Sequence, residues 1–211
     1  MKALIICSGS VEDYSYYKKY FEGAKAVICV DGGAKHLRKF EVVPDVLIGD
    51  FDSISYEDFE YYKSMNVEIK KCPTKKDMTD TEIAVNYSID KGFKEIVIIG
   101  GIGTRIDHSL ANILLLKQML DRGIKGTIVN EKNEITLIRD RIKVDKEKDF
   151  NITLLPLTNV VEGITTKGLC YRLNCEDIEM GSSRGVSNEF KDESAEVSIR
   201  DGILIVIKSK D

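Results

Sequence analysis

The sequence predicts an α/β unit built on a parallel sheet, followed by an all-β unit. Three observations carry this. Up to about residue 130, short apolar runs alternate with segments of helical spacing. Beyond that point, strand-like runs follow one another with turns and no convincing helix between them. No low-complexity linker separates the halves, so the units are expected to be 1–132 and 133–211.

Each element has its own signal. Residues 3–7 form a first apolar strand ending in Ser8-Gly9-Ser10, and 11–21 is tyrosine-rich with helix-compatible spacing. An apolar strand at 26–30 is broken by Asp31-Gly32-Gly33, and a short helix is expected over 34–40. Residues 45–48 form a strand, 56–65 a helix and 67–70 a strand. A helix over 79–91 opens with Thr79 and Glu82 at capping-box spacing. The strand at 95–99 runs into Gly100-Gly101, and 107–120 carries a broad apolar helical face. A strand at 127–129 closes the first half. Short apolar strands separated by helices indicate a parallel sheet covered on both faces. In the second half, strands are expected at 135–138, 152–155, 160–165, 169–173, 195–199 and 203–207, forming a sandwich or partly open barrel.

Composition narrows the function. The chain has 211 residues, 43% hydrophobic and 31% charged, enough to bury a substantial core. A net charge of −4 and a pI near 5.4 argue against a nucleic-acid binder or a polybasic membrane binder. No apolar run approaches the length of a membrane span. Five cysteines without C-x-x-C spacing, two of them (Cys7 and Cys29) inside apolar runs, read as reduced thiols of a cytoplasmic protein. Zinc is disfavoured by two unpaired histidines.

The chemistry concentrates where strands of the first half end. Gly49-Asp50-Phe51-Asp52-Ser53 closes an apolar strand and sets two carboxylates at i, i+2, on one side of an extended segment. Two such charges roughly 4 Å apart repel by about 4 kcal/mol at an effective dielectric near 20, so the pair calls for a cation or a proton. Asp31, Asp77, Asp80 and Asp107 also follow strands, and in a parallel sheet these loops emerge on one edge. That many carboxylates at one edge suit a divalent cation, and carboxylate oxygen with room for water suits Mg²⁺. Gly100-Gly101-Ile102-Gly103-Thr104-Arg105 lies between a strand and a helix, where backbone N–H groups and Arg105 can meet an anion. It matches neither G-x-x-x-x-G-K-[ST] nor G-x-G-x-x-G. Thr79 and Glu82 are explained by capping alone. His108 reads as a helix-start residue, and His36, on a short polar helix, as solvated. The polar loop 181–189 reads as a turn with capacity for a polar ligand.

Taken together, these stretches resemble the thiamine pyrophosphokinase family. The resemblance rests on Asp31-Gly32-Gly33, Pro44-Asp45 through Ser53, Lys76-Asp77-Met78-Thr79-Asp80-Thr81-Glu82, Gly100 through His108, and Ser187-Asn188-Glu189, in the family's order and across nearly the whole chain. Two departures are Thr104, where a glycine is common, and Leu169-Cys170-Tyr171-Arg172-Leu173 in place of Leu-Lys-Tyr-Pro-Leu. The resemblance implies a Rossmann-like α/β/α unit followed by a β-sandwich. It also implies transfer of diphosphate from ATP to thiamine with release of AMP, in a homodimer whose site is shared between subunits. It further implies that Asp50, Asp52 and Asp80 hold Mg²⁺, and that Asp31, Gly32, Gly101, Gly103 and Arg105 line the nucleotide site. Ser187 and Asn188 would contact thiamine, and Asp77 and Asp107 are the candidates for a general base. Two alternatives stay open: a pyrophosphokinase acting on a hydroxymethyl pterin, and a non-catalytic thiamine or nucleotide sensor.

Overall fold

The first strand, β1 (Lys2–Ile6), is apolar from Ala3 onward and sits in the middle of a sheet, hydrogen-bonded on both sides. The computed structural model describes residues 1–73 and 77–211, and the chain divides into two compact units, Met1–Glu131 and Lys132–Asp211.

In the first unit β2 is Ala24–Val30, β3 Val46–Gly49, β4 Glu68–Lys71, β5 Glu95–Ile99 and β6 Lys125–Val129. They run parallel in the order β4-β3-β2-β1-β5-β6. Burial follows this order. Leu4, Ile6, Cys29, Leu47, Val97 and Ile99 are buried at the centre, while β4 at the edge is charged and largely exposed. The helices are α1 (Lys18–Phe21), α2 (Ala34–Phe40), α3 (Tyr56–Ser64), α4 (Asp80–Asp90) and α5 (Ile106–Asp121). The chain leaves β1 towards β4 and then crosses back to β5, so the order reverses between β1 and β5. In open parallel sheets such a reversal opens a crevice at the carboxyl ends of the strands.

The expected helix over 11–21 shrinks to α1. Asp13 is the cause: its carboxylate accepts from both the N–H (2.9 Å) and the hydroxyl (2.6 Å) of Ser15, which holds the backbone in a local turn instead. The tyrosines that suggested a helix pack on α2 from this turn, with Tyr14 and Tyr17 each edge-on to Phe40.

The second unit is a sandwich of two antiparallel sheets. One holds β7 (Asn133–Ile138), β13 (Leu204–Ser209) and β9 (Asn151–Pro156), in the order β7-β13-β9. The other holds β11 (Glu176–Glu179), β10 (Val160–Lys167), β12 (Ser194–Ser198) and β8 (Arg141–Asp145), in that order. Ile152, Leu154, Leu204 and Val206 from the first sheet meet Val161, Ile164, Ala195 and Val197 from the second in one core. Residues 169–173 do not form the expected strand. Gly168 turns the chain at φ +75°, Leu169 makes one bridge to Phe190, and the Asn188 side chain takes up the backbone of Tyr171. β8 and β11 were not anticipated. β8 alternates Arg-Ile-Lys-Val-Asp with only its apolar residues turned in, a period-two pattern overshadowed by its charges.

Candidate active site

Asp31 is the residue around which the site is built. It follows β2 in a left-handed conformation (φ 43°), is 9% exposed, and accepts the Phe51 N–H on Oδ1 at 3.0 Å. The neighbouring position on β3 is Gly49, where a Cβ would overlap the Asp31 carboxylate. The glycine is therefore what admits a carboxylate beside β3. Burial pushes the Asp31 carboxyl up to about 7, with Asp80, Asp50 and Asp52 adding repulsion and the Phe51 hydrogen bond opposing it.

Asp50 and Asp52 emerge from β3 on a tight loop in which Phe51 takes φ 68° and the Asp52 N–H donates to Asp50 Oδ1 at 3.2 Å. One oxygen from each of Asp31, Asp50 and Asp52 lies within 4.8 Å of the others. Three hard oxygen donors so close together are a suitable set for a divalent cation. Asp80 starts α4, behind a cap in which Thr79 Oγ1 accepts the Glu82 N–H at 3.2 Å. It lines the same cleft beside the group formed by Asp31, Asp50 and Asp52.

The cleft encloses about 590 Å³. Its other wall is the glycine loop after β5. Gly101 and Gly103 both line it; the Gly101 carbonyl accepts from Asn112 Nδ2 at 2.7 Å, and the Gly103 N–H donates to Ser109 Oγ at 3.1 Å. Ser109 and Asn112 are buried on α5, and the sequence analysis did not single them out. Ser8 and Gly9, after β1, complete the wall. Gly9 donates its N–H to the Gly100 carbonyl at 2.9 Å, and a Cβ there would overlap that carbonyl. Their signal was the Ser-Gly-Ser that ends the first strand.

Arg105 lines the cleft with His108. It also grips Asp107 through Nη2 to Oδ2 at 2.6 Å and Nε to Oδ1 at 3.3 Å. That pair is exposed, and the Arg105 hydrogen bond holds the Asp107 carboxyl below its ordinary range. Asp77 and Asp107 are exposed and stand outside the residues that line the cleft; Lys76 lies outside the described residues. Gly32 also lies off the cleft surface, buried, with its N–H donating to Ser53 Oγ at 3.2 Å. Cys7 lies at the floor, a thiol pushed up to about 12 by burial, which makes it unreactive.

His36 is not solvated. It is 4% exposed, contacting the Tyr14 hydroxyl through Nδ1 at 2.8 Å and the Gly9 carbonyl through Nε2 at 2.8 Å. A carbonyl only accepts, so Nε2 carries the proton and Nδ1 accepts from Tyr14.

In the second unit Ser187 is exposed in a left-handed conformation (φ 56°), its N–H donating to Thr153 Oγ1 at 3.0 Å. Asn188 is buried. Its Oδ1 accepts the Tyr171 N–H at 2.9 Å, and its Nδ2 donates to the Tyr171 carbonyl at 2.7 Å. Asn188 thus fixes the loop, and Ser187 and the half-exposed Tyr171 ring stand at its rim.

A carboxylate and glycine cleft at the reversal point of a parallel sheet, followed by an antiparallel sandwich, defines a two-unit protein whose cleft could coordinate a divalent cation. Comparison with known proteins narrows the class. Residues 17–128 match the family described as thiamin pyrophosphokinase, catalytic domain, and 139–204 match thiamin pyrophosphokinase, vitamin B1 binding domain. The thiamine pyrophosphokinase of Bacillus subtilis (strain 168) is 32% identical over 187 residues, covering 87% of each chain. Crystal structures of thiamine pyrophosphokinases from Bacillus subtilis and Geobacillus thermodenitrificans superpose with TM-scores of 0.91 and 0.87. Each is 28% identical over the whole of this chain and 100% and 98% of theirs. The chain belongs to the thiamine pyrophosphokinase family.

Proposed function

We propose that the protein transfers a diphosphate group from ATP to the hydroxyl of thiamine, giving thiamine diphosphate and AMP. The observation that carries this reading is the gathering of Asp31, Asp50 and Asp52 within 4.8 Å, in a cleft faced by the glycine loop.

In the reaction the thiamine hydroxyl oxygen bonds to the β-phosphorus. The bond from that phosphorus to the oxygen bridging it to the α-phosphorus breaks, and AMP leaves with the bridging oxygen and its electron pair. The work of the chain is positioning and charge neutralisation. Asp31, Asp50 and Asp52, with Asp80 beside them, would hold Mg²⁺, which when bound screens the phosphate charge and orients the β- and γ-phosphates. Gly101 and Gly103 admit phosphate oxygens close to the backbone, and Arg105, steadied by Asp107, adds a guanidinium to them. The hydroxyl proton passes to a carboxylate or to water. Asp107, held down by Arg105, is a weak acceptor, which leaves Asp77 as the remaining base candidate.

The first unit would serve as the nucleotide and catalytic domain and the second as the thiamine-binding domain, with the Ser187 rim meeting thiamine and Asn188 holding that rim in shape. A shared site would pair the cleft of one subunit with the rim of its partner in a homodimer. The acidic balance and the buried reduced thiols Cys7 and Cys29 support a cytoplasmic protein without nucleic-acid partners. Among the described residues no helix is long and apolar enough to cross a membrane.

The test is product analysis with ATP, Mg²⁺ and thiamine. AMP forming one-for-one with thiamine diphosphate is expected. ADP with thiamine monophosphate would mean γ-phosphoryl transfer, and no thiamine product at all would mean a sensor.

A further inference from the structure

A second cavity, of about 490 Å³, adjoins the carboxylate cleft. The two share Ser8, Gly9, Gly103 and Thr104, so one ligand can lie across both. The divide between them is low because two glycines form it. A Cβ on Gly103 would already stand 3.4 Å from the Gly9 Cα, so neither residue raises a side chain between the cavities. Their charge is opposite. The first cavity carries Asp31, Asp50, Asp52 and Asp80 against one guanidinium, Arg105, whereas the wall of the second carries Lys35 and Lys39, one turn apart on α2, against a single carboxylate, Glu12. His36 lies between the lysines on the same helix and ties it to the divide by donating to the Gly9 carbonyl. The proximity of all three is visible in His36 itself, whose imidazole is pushed down chiefly by burial, with the Lys35 and Lys39 charges adding to the effect and the Gly9 hydrogen bond opposing it.

We propose that this second cavity is the site of the AMP half of the nucleotide, with Lys35 and Lys39 receiving the α-phosphate as it becomes the leaving group. The proposal rests on the reading of the cleft as a diphosphate-transfer site and extends it. When the bond to the β-phosphorus breaks, the bridging oxygen acquires negative charge on the side of the divide away from the carboxylates. Two ammonium groups there stabilise that charge, whereas the aspartate side would repel it. A nucleotide laid across the divide would thus have its β- and γ-phosphates on the acidic side, where the aspartates would hold a cation, and its α-phosphate and nucleoside on the basic side.

The test compares the wild type with Lys35→Ala/Lys39→Ala, two exposed positions whose loss leaves the core intact. Equilibrium dialysis at about 0.15 M salt, which suppresses long-range charge effects, would measure AMP alone and, separately, inorganic pyrophosphate with Mg²⁺. AMP affinity is expected to fall at least about tenfold, the scale of one lost charge-assisted hydrogen bond. Affinity for pyrophosphate with Mg²⁺ should stay within about twofold. Unchanged AMP affinity, equal weakening of both ligands, or no measurable AMP binding by the wild type would each overturn the assignment. Because these measurements need no thiamine turnover, they separate failure of this inference from failure of the diphosphate-transfer reading.

Discussion

The cleft of the first unit and the loop rim of the second are both polar, and they are built on opposite principles. In the cleft, Asp31, Asp50 and Asp52 crowd together, one of them nearly buried and pushed up to about 7. That arrangement destabilises the unliganded fold and would become favourable on binding a cation. At the rim, Asn188 satisfies both backbone groups of Tyr171, and Thr153 takes the Ser187 N–H, so the loop is internally satisfied before any ligand binds. Lesions in the two places should therefore differ in kind. In the cleft they should remove activity and spare stability; at the rim they should cost stability.

The largest effect is expected from Asp52→Asn. Turnover should fall at least about 1,000-fold, equivalent to about 4 kcal/mol of lost transition-state stabilisation. The melting temperature without metal should hold or rise, because a repulsive charge is gone. Near wild-type turnover at saturating ATP and Mg²⁺ would remove the metal role.

Asn188→Ala sharpens the other half of the comparison. It leaves the Tyr171 N–H and carbonyl without their partner, a loss of about 2 kcal/mol. For a chain of this length that corresponds to a fall in melting temperature of roughly 4–8 °C. A calorimetric scan showing no change would mean that the rim is not held in this way.

A smaller effect is expected with pH. The Asp31 carboxyl rises from 3.8 to about 7 on folding, so the protonated form is the one the fold favours. Its stabilising contribution is fully present below about pH 4 and is lost as pH rises through 7. In chelator, the melting temperature of the wild type relative to Asp31→Asn should therefore decline between about pH 4 and 8. A difference that stays flat with pH would contradict the environment assigned to Asp31.

The same contrast explains what could be read in the sequence. Asp50 and Asp52 were legible because an apolar run leading into D-x-D places carboxylates at a strand end, and Thr79 was legible because capping is local. Asp31 was legible as a carboxylate at the same sheet edge, but its close approach to Asp50 and Asp52 was not, because that depends on the missing side chain of Gly49 on the neighbouring strand. His36 was misread for a similar reason: its partners, the Tyr14 hydroxyl and the Gly9 carbonyl, lie 22 and 27 residues away. In the second unit the apolar strands were visible. The 169–173 segment was not, since a side chain of the 187–189 loop takes the place of a sheet partner there.

The most direct test asks whether the two regions serve one site from two subunits. Asp52→Asn disables the cleft, and Ser187→Lys sets a cation at the exposed rim where the cationic thiazolium ring of thiamine would approach. If each site takes its cleft from one subunit and its rim from the other, a mixed dimer carries one doubly damaged site and one intact site. Random mixing makes about half the dimers mixed, so co-refolding the two inactive variants should restore roughly a quarter of wild-type activity. No recovery, with mixed dimers verified by mass, would contradict the shared site and place cleft and rim within a single chain.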